Sequence, residues 1–231
     1  MQNKPKGRIA FASDFHLGHN RDFIYQARGF ENIQRHDQYI LQAINAEIGP
    51  QDYLYYLGDF SLNTTVEQTT ELFKKIQCNN IFYIWGNHES STKKIYHEAK
   101  RNLFGQNLDD NVEVYPVTFR NVTFLGNMVS TVIRYQRMTL QHYAPLVWDA
   151  SHHGSWALCG HSHGNCSPIL PEATNGKVLD VGVDVAMKHC GRPFFWFEDV
   201  VRIMNKKNIG ADDHDEPCID SNQPAAKTDH E

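Results

Sequence analysis

Apolar and polar positions along this chain follow two different periods. "RIAFAS" (8–13) is a short apolar block, the pattern of a buried strand. In "HDQYILQAINAEIG" (36–49), Tyr39, Ile40, Ala43, Ile44 and Ile48 recur at helical spacing, and Gly49 and Pro50 end the run. "DYLYYLGD" (52–59) predicts a second buried strand. "TTVEQTTELFKKIQ" (64–77) opens on capping threonines and keeps Val66, Thr69, Leu72, Phe73 and Ile76 on one face. "IFYIWGNH" (81–88) predicts a third strand, and 91–103 a further helix. Strands alternating with helices predict a parallel sheet covered on both faces.

The second half changes character. "VEVYPVTFR" and "NVTFLGN" predict a hairpin about Arg120–Asn121. Strand-like runs follow at "MTLQHYA" (138–144), "SWALCGHSH" (155–163) and "KVLDVGVDVA" (177–186), with a last helix from about Phe197 to Lys206. An α/β half followed by a more antiparallel half predicts two mixed β-sheets packed face to face as a sandwich, with helices outside. Beyond Lys207 little remains to pack. The chain therefore divides into a body, 1–207, and an acidic tail, 208–231, expected to be disordered.

Composition sharpens this picture in three ways. The chain has 231 residues, of which 41% are hydrophobic, enough to build a sizeable core. Of the net charge of −5, four units fall in 205–231, where seven acids face three lysines. The body is thus nearly neutral and shows no broad basic footprint for nucleic acid, although a local basic groove stays open. No apolar run approaches membrane-spanning length, and "MQNKPKGRIAFASD" lacks the apolar core of a signal peptide, so a cytoplasmic protein with no membrane partner is expected. The five cysteines form no CxxC pair, and their odd, scattered placing argues against a disulfide framework.

Chemistry gathers where the strands end. "ASDFHLGH" brings Asp14, His16 and His19; "LGDFS" brings Asp59; "WGNHES" brings Asn87 and His88; "QHYAP" brings His142; "LCGHSHGN" brings His161 and His163. Each cluster alone is weak, but three consecutive strands ending in ligand-type residues lie where open α/β sheets bind ligands. His161 and His163, one residue apart between glycines, can present two imidazoles to one place. Carboxylates, imidazoles and one amide oxygen, without thiolate, suit Mn²⁺, Fe, Zn²⁺ or Ni²⁺. Seven such ligands exceed what one ion needs and imply two ions sharing a carboxylate, a device for in-line displacement at phosphorus.

The series D-x-H, G-D, G-N-H, H, G-H-x-H, read in this order over roughly residues 8–205, resembles the calcineurin-like metallophosphoesterases. "SDFHLGH", "YLGDF", "GNHE" and "VGVDV" are most similar to a branch of small bacterial and phage phosphoesterases. The resemblance implies a sandwich of two mixed sheets flanked by helices. It implies one divalent ion on Asp14, His16 and His163, a second on Asn87, His142 and His161, Asp59 bridging both, and His88 as catalytic acid. Mn²⁺ comes first among the metals, and the substrate would be a small phosphate ester or a nucleotide, hydrolysed by in-line attack of hydroxide. Two other functions share this fold: a nuclease or nucleotide pyrophosphohydrolase, and a non-catalytic protein-binding scaffold.

This chain departs from the pattern in places. The Gly-Asp motif runs on into "FSLNTT" where many relatives place an arginine and a glycine, and an alanine separates tyrosine from proline in "QHYAP". His152 and His153 in "SHHG" stand as rivals to His142. His19 is a candidate for lining the pocket. Arg21, Arg28, Arg134 and Arg137 are candidates for holding the substrate phosphate, and Asp184 for orienting a ligand histidine from behind.

Overall fold

The computed structural model describes residues 7–106, 109, 111–165 and 176–208. The tail from residue 209 onward, Cys166 and Cys218 lie outside these residues. The first half alternates as its periodicity predicts. Strands β1 (Ile9–Ala12), β2 (Tyr53–Tyr56) and β3 (Asn80–Ile84) are parallel neighbours, separated in sequence by helices. The helices are a short α1 (Asp22–Tyr25), then α2 (Ile33–Glu47), α3 (Val66–Lys75) and α4 (Ser90–Phe104). α2 starts where the Asn32 side chain accepts from the Arg35 amide. α3 starts on a capping box in which Thr65 and Gln68 each satisfy the other's backbone N–H.

The hairpin of β4 (Val117–Phe119) and β5 (Val122–Gly126) turns at Arg120–Asn121 as expected, and β5 joins β3 in parallel. With β10 (Phe195–Trp196) at the other edge, the described residues form a six-stranded sheet in the order β10-β1-β2-β3-β5-β4. A second, four-stranded sheet has the order β6-β7-β8-β9. It consists of β6 (Met128–Ile133), β7 (Gln136–Gln141), β8 (Trp156–Cys159) and β9 (Val178–Asp180). β6 pairs antiparallel with β7, and β7, β8 and β9 run parallel.

Strand parity assigns the layers. Ala10, Ala12, Leu54, Tyr56, Ile81 and Tyr83 face the helices and pack with Ile40, Ile44, Phe73 and Ile95. Their neighbours Phe11, Leu57 and Ile84 face the second sheet, where they meet Met138, Leu140, Trp156, Leu158 and Leu179. This is the sandwich, two mixed sheets with helices outside.

Several elements differ from the sequence reading, the short α1 among them. Residues 183–186, expected as strand, open α5 (Val183–Cys190). The valines favour a strand, but Gly182 breaks the chain there, and Val183 and Ala186 bury themselves at helical spacing. β6 escaped notice because it is an edge strand whose Met128 and Val132 face outward, which erases the alternation of a half-buried strand. β10 has only two residues and flows directly into α6 (Phe197–Met204), the expected last helix. Among the described residues no helix is long and apolar enough to cross a membrane.

Candidate metal centre

The carboxyl ends of β1, β2, β3, β7 and β8 meet at one end of the sandwich. The join is made by backbone: the Gly160 amide donates to the His142 carbonyl at 2.8 Å, and Ser13 bridges to Gly182. Asp14, His16, Asp59, His161 and His163 all hold positive φ, between 50° and 70°. Non-glycine residues seldom adopt that conformation, and when they do they gather at functional sites. Two glycines allow the approach. A Cβ on Gly86 would lie 2.1 Å from Asp59 Oδ1, and one on Gly160 would lie 2.2 Å from Ser13 Oγ and 2.6 Å from Asp14 Oδ2.

The ligand atoms of Asp14, His16 and His163 lie within 4.8 Å of one another, and so do those of Asp14, Asp59 and His142. Asp59 Oδ2 sits 3.8 Å from His16 Nε2 and 3.5 Å from His142 Nε2, between the two groups. Asn87 Oδ1 lies 2.9 Å from both His142 Nε2 and His161 Nδ1. The seven residues expected as ligands therefore converge. Asp14 enters both carboxylate–imidazole groups, so either carboxylate stands where it can be shared. His152 and His153 form a 3₁₀ turn that precedes β8, at the end of that strand away from His161. His142 alone of the three rivals meets the carboxylates. His88 donates its backbone N–H to Asp59 Oδ1 at 2.8 Å and brings its ring to 5.7 Å from that of His16.

The atoms most telling for a metal are those left without partners. Asp14 Oδ1 and both ring nitrogens of His16 are buried and make no hydrogen bond. Burial pushes the Asp14 carboxyl up to about 6, against the pull of His142 and His163, and pushes the His16 imidazole down to about 2. Burial would also raise Asp59, but His142, the His88 amide and His16 hold it at about 2. Anionic oxygens and neutral imidazoles packed around unfilled lone pairs are what a divalent cation requires.

The candidate substrate-binding residues separate. His19 is buried beside the cluster, its ring 5.5 Å from His16 and 6.4 Å from His88, with Nδ1 unpartnered. Arg28 is engaged within the protein. Its side chain is 2% exposed and forms a two-pronged pair with Asp184 through Nε and a terminal nitrogen, each at 2.9 Å. It also donates to the carbonyls of Asp14 and Phe15. Asp184 in turn takes His163 Nδ1 at 2.7 Å, leaving Nε2 for the cluster. That hydrogen bond raises His163; burial would raise Asp184, but His163 and Arg28 hold it well below the usual carboxylate range. Arg137 lies near the start of β7, at the far end from His142, and pairs with Asp149; Arg134 pairs with Glu198. Of the four arginines, Arg21 alone lacks a carboxylate partner among the described residues, and it neighbours His19.

Two residues that the sequence reading passed over hold the loops in place. Buried Glu89 accepts from the Asp59 and Gly86 amides and from Tyr83, which ties the second motif to the third. Its carboxyl is raised by burial to about 7. Asp180 accepts from Ser162 Oγ and from the Gly164 and Gly182 amides, which fixes the His161–His163 turn. Glu89 ends the quoted motif "GNHE", and that adjacency was the available signal.

The architecture has a solved counterpart. The crystal structure of a protein of unknown function from Aquifex aeolicus matches with a TM-score of 0.56, at 14% identity, over 85% of this chain and 99% of that one. At that identity the likeness is one of fold. No curated protein matches the chain. The model of a family described as calcineurin-like phosphoesterase matches residues 7–165. That span opens just before β1 and closes just past His163, and so takes in every strand end that feeds the cluster. The chain belongs to the calcineurin-like phosphoesterase family.

Proposed function

We propose that the protein hydrolyses phosphate mono- or diesters at a centre for two divalent metal ions. The observation that carries this reading is His16, a buried neutral imidazole with both nitrogens unpartnered, 3.8 Å from an Asp14 oxygen and from an Asp59 oxygen. Each buried polar atom left unsatisfied costs about 1–3 kcal/mol, and a cation would satisfy all three of these, so the residues fit a metal ion. On this reading Asp14, His16 and His163 hold one ion, Asn87, His142 and His161 hold the other, and Asp59 stands between them. The oxygen and nitrogen donor set suits Mn²⁺, Fe, Zn²⁺ or Ni²⁺, and the family resemblance puts Mn²⁺ first. Such ions, when bound, supply an activated water and Lewis acidity toward the phosphoryl oxygens.

The chain's own groups do the rest. Arg21 offers an unpaired guanidinium to a phosphate oxygen at the rim. Asp184, clamped by Arg28, keeps the proton of His163 on Nδ1 and so aims Nε2 inward. His88, anchored at its amide by Asp59, carries a proton to the leaving oxygen from its ring. The test is a hydrolysis panel of mono- and diesters on metal-free protein, before and after reloading with each candidate ion, with metal content measured. Turnover is expected only in loaded protein and should be lost in His16→Ala. Equal turnover by metal-free protein, or by His16→Ala, would overturn the reading.

A further inference from the structure

Five aromatic side chains among the described residues are exposed: Phe23, Tyr53, Phe104, Tyr135 and Tyr143. Two of them stand on the histidine cluster itself. Phe23, 69% exposed on α1, has a single ring contact, edge-to-face with His19 at 5.6 Å. Tyr143, 53% exposed, lies 4.5 Å from the His161 ring and 5.3 Å from that of His142. Its hydroxyl has no hydrogen-bond partner among the described residues.

The two rings mark opposite ends of one row. Phe23 touches His19, which neighbours His16 and His88, while Tyr143 touches the ligands expected for the other ion. Single exposed apolar residues are ordinary on a protein surface. Two aromatic rings at either end of a polar, cation-seeking centre, each with free π-surface, form a bracket. Arg21, the N-cap of α1 two residues before Phe23, adds an unpaired cation at the same rim. A base or aryl ring stacks on such surfaces without regard to sequence, while the phosphate takes the charged groups.

We infer that the site selects phosphate esters that carry a planar aromatic ring within about one pentose of phosphorus, through stacking on one of the two rings, Phe23 or Tyr143. This rests on the phosphoesterase reading for the place of the phosphate, but its test needs no turnover. Metal-loaded protein is titrated calorimetrically with inorganic phosphate and with the phosphonate analogues, which cannot be hydrolysed, of AMP, phenyl phosphate and ribose 5-phosphate, each named by its parent ester. AMP is expected to bind roughly ten-fold more tightly than ribose 5-phosphate, the usual worth of one stacked ring. If the aromatic group is an aryl ring held close to phosphorus, phenyl phosphate shares that advantage; if it is a nucleobase, AMP alone has it. The preference should vanish in Phe23→Ala/Tyr143→Ala and persist in Tyr143→Phe, which keeps the ring. Equal binding of AMP, phenyl phosphate and ribose 5-phosphate, or a preference that survives the double alanine variant, would overturn the inference and leave phosphoester hydrolysis untouched. Inactive protein that still prefers ring-bearing ligands would sink hydrolysis alone.

Discussion

Replacing Arg28 with methionine keeps a long apolar stem and removes every donor. In the intact protein that guanidinium is buried and holds both Asp184 oxygens, the Asp14 and Phe15 carbonyls, and His36 Nε2 at 3.0 Å. Arg28→Met strands a carboxylate and two carbonyls at once. Breaking one partner of a buried pair costs about 3–5 kcal/mol. Asp184 is 24% exposed and keeps its bond to His163, so the lower end, about 3 kcal/mol, is expected. Urea denaturation of the metal-free protein should show it as a lower midpoint at unchanged slope. The loss has a pH signature. The folded Asp184 is held below its unfolded pKa, so its contribution is complete above the ordinary carboxylate range and fades as pH falls through the folded value. The acid limb of the stability profile should therefore be shallower in Arg28→Met. A second readout separates orientation from bulk stability. With Asp184 no longer clamped, His163 loses its fixed ring orientation, and affinity for one ion should fall on the order of 10–100-fold while the other holds. Arg28→Lys should restore part of both effects. A loss under about 1 kcal/mol with unchanged metal affinity would refute the reasoning, since a buried, fully engaged guanidinium cannot be so cheap to remove.

Further outcomes follow from other residues. His88→Ala should keep both ions and slow an alkyl phosphate by on the order of 10²–10⁴-fold, but slow p-nitrophenyl phosphate clearly less, because a phenolate leaves without full protonation; equal losses on the two esters would assign His88 a positioning role instead. Gly86→Ala drives a Cβ against Asp59 and should lower stability by about 1–3 kcal/mol and weaken metal binding, read by thermal melting and by metal titration. Glu89 has a folded pKa of about 7 against an ordinary 4.5, so the folded state keeps its proton longer and stability should fall as pH rises through that window. Glu89→Gln should flatten metal-free stability between those values, by about 3 kcal/mol at the upper end; a profile parallel to the wild type would remove the argument.

The fold class was legible in the alternating apolar blocks, and so was the set of polar residues that the strand ends bring together. Asp14, His16, Asp59, Asn87, His142, His161 and His163 could each be named as candidates from local sequence because ligand-type residues at strand ends are visible at the close of an apolar block. Arg28 was read for its sign of charge, which suggested phosphate, and not for a protein partner. Only the chain's return through α5 reveals Asp184 behind it, 156 residues away. The role of Glu89 was not readable from its place in "GNHE" for a related reason: a buried carboxylate is defined by the amides it caps, and these come from two separate loops. Phe23 and Tyr143 carry no pattern at all, since an exposed ring and a core ring are spelled alike.

The most direct check on the metal centre is a calorimetric or spin-resonance titration of metal-free protein with Mn²⁺, run beside Asp59→Ala and His16→Ala. The wild type should take two ions per chain, His16→Ala should keep one, and Asp59→Ala should unsettle both, because its Oδ2 lies between His16 and His142. Two ions held as tightly by Asp59→Ala as by the wild type, or fewer than two in the wild type, would contradict a shared two-metal centre.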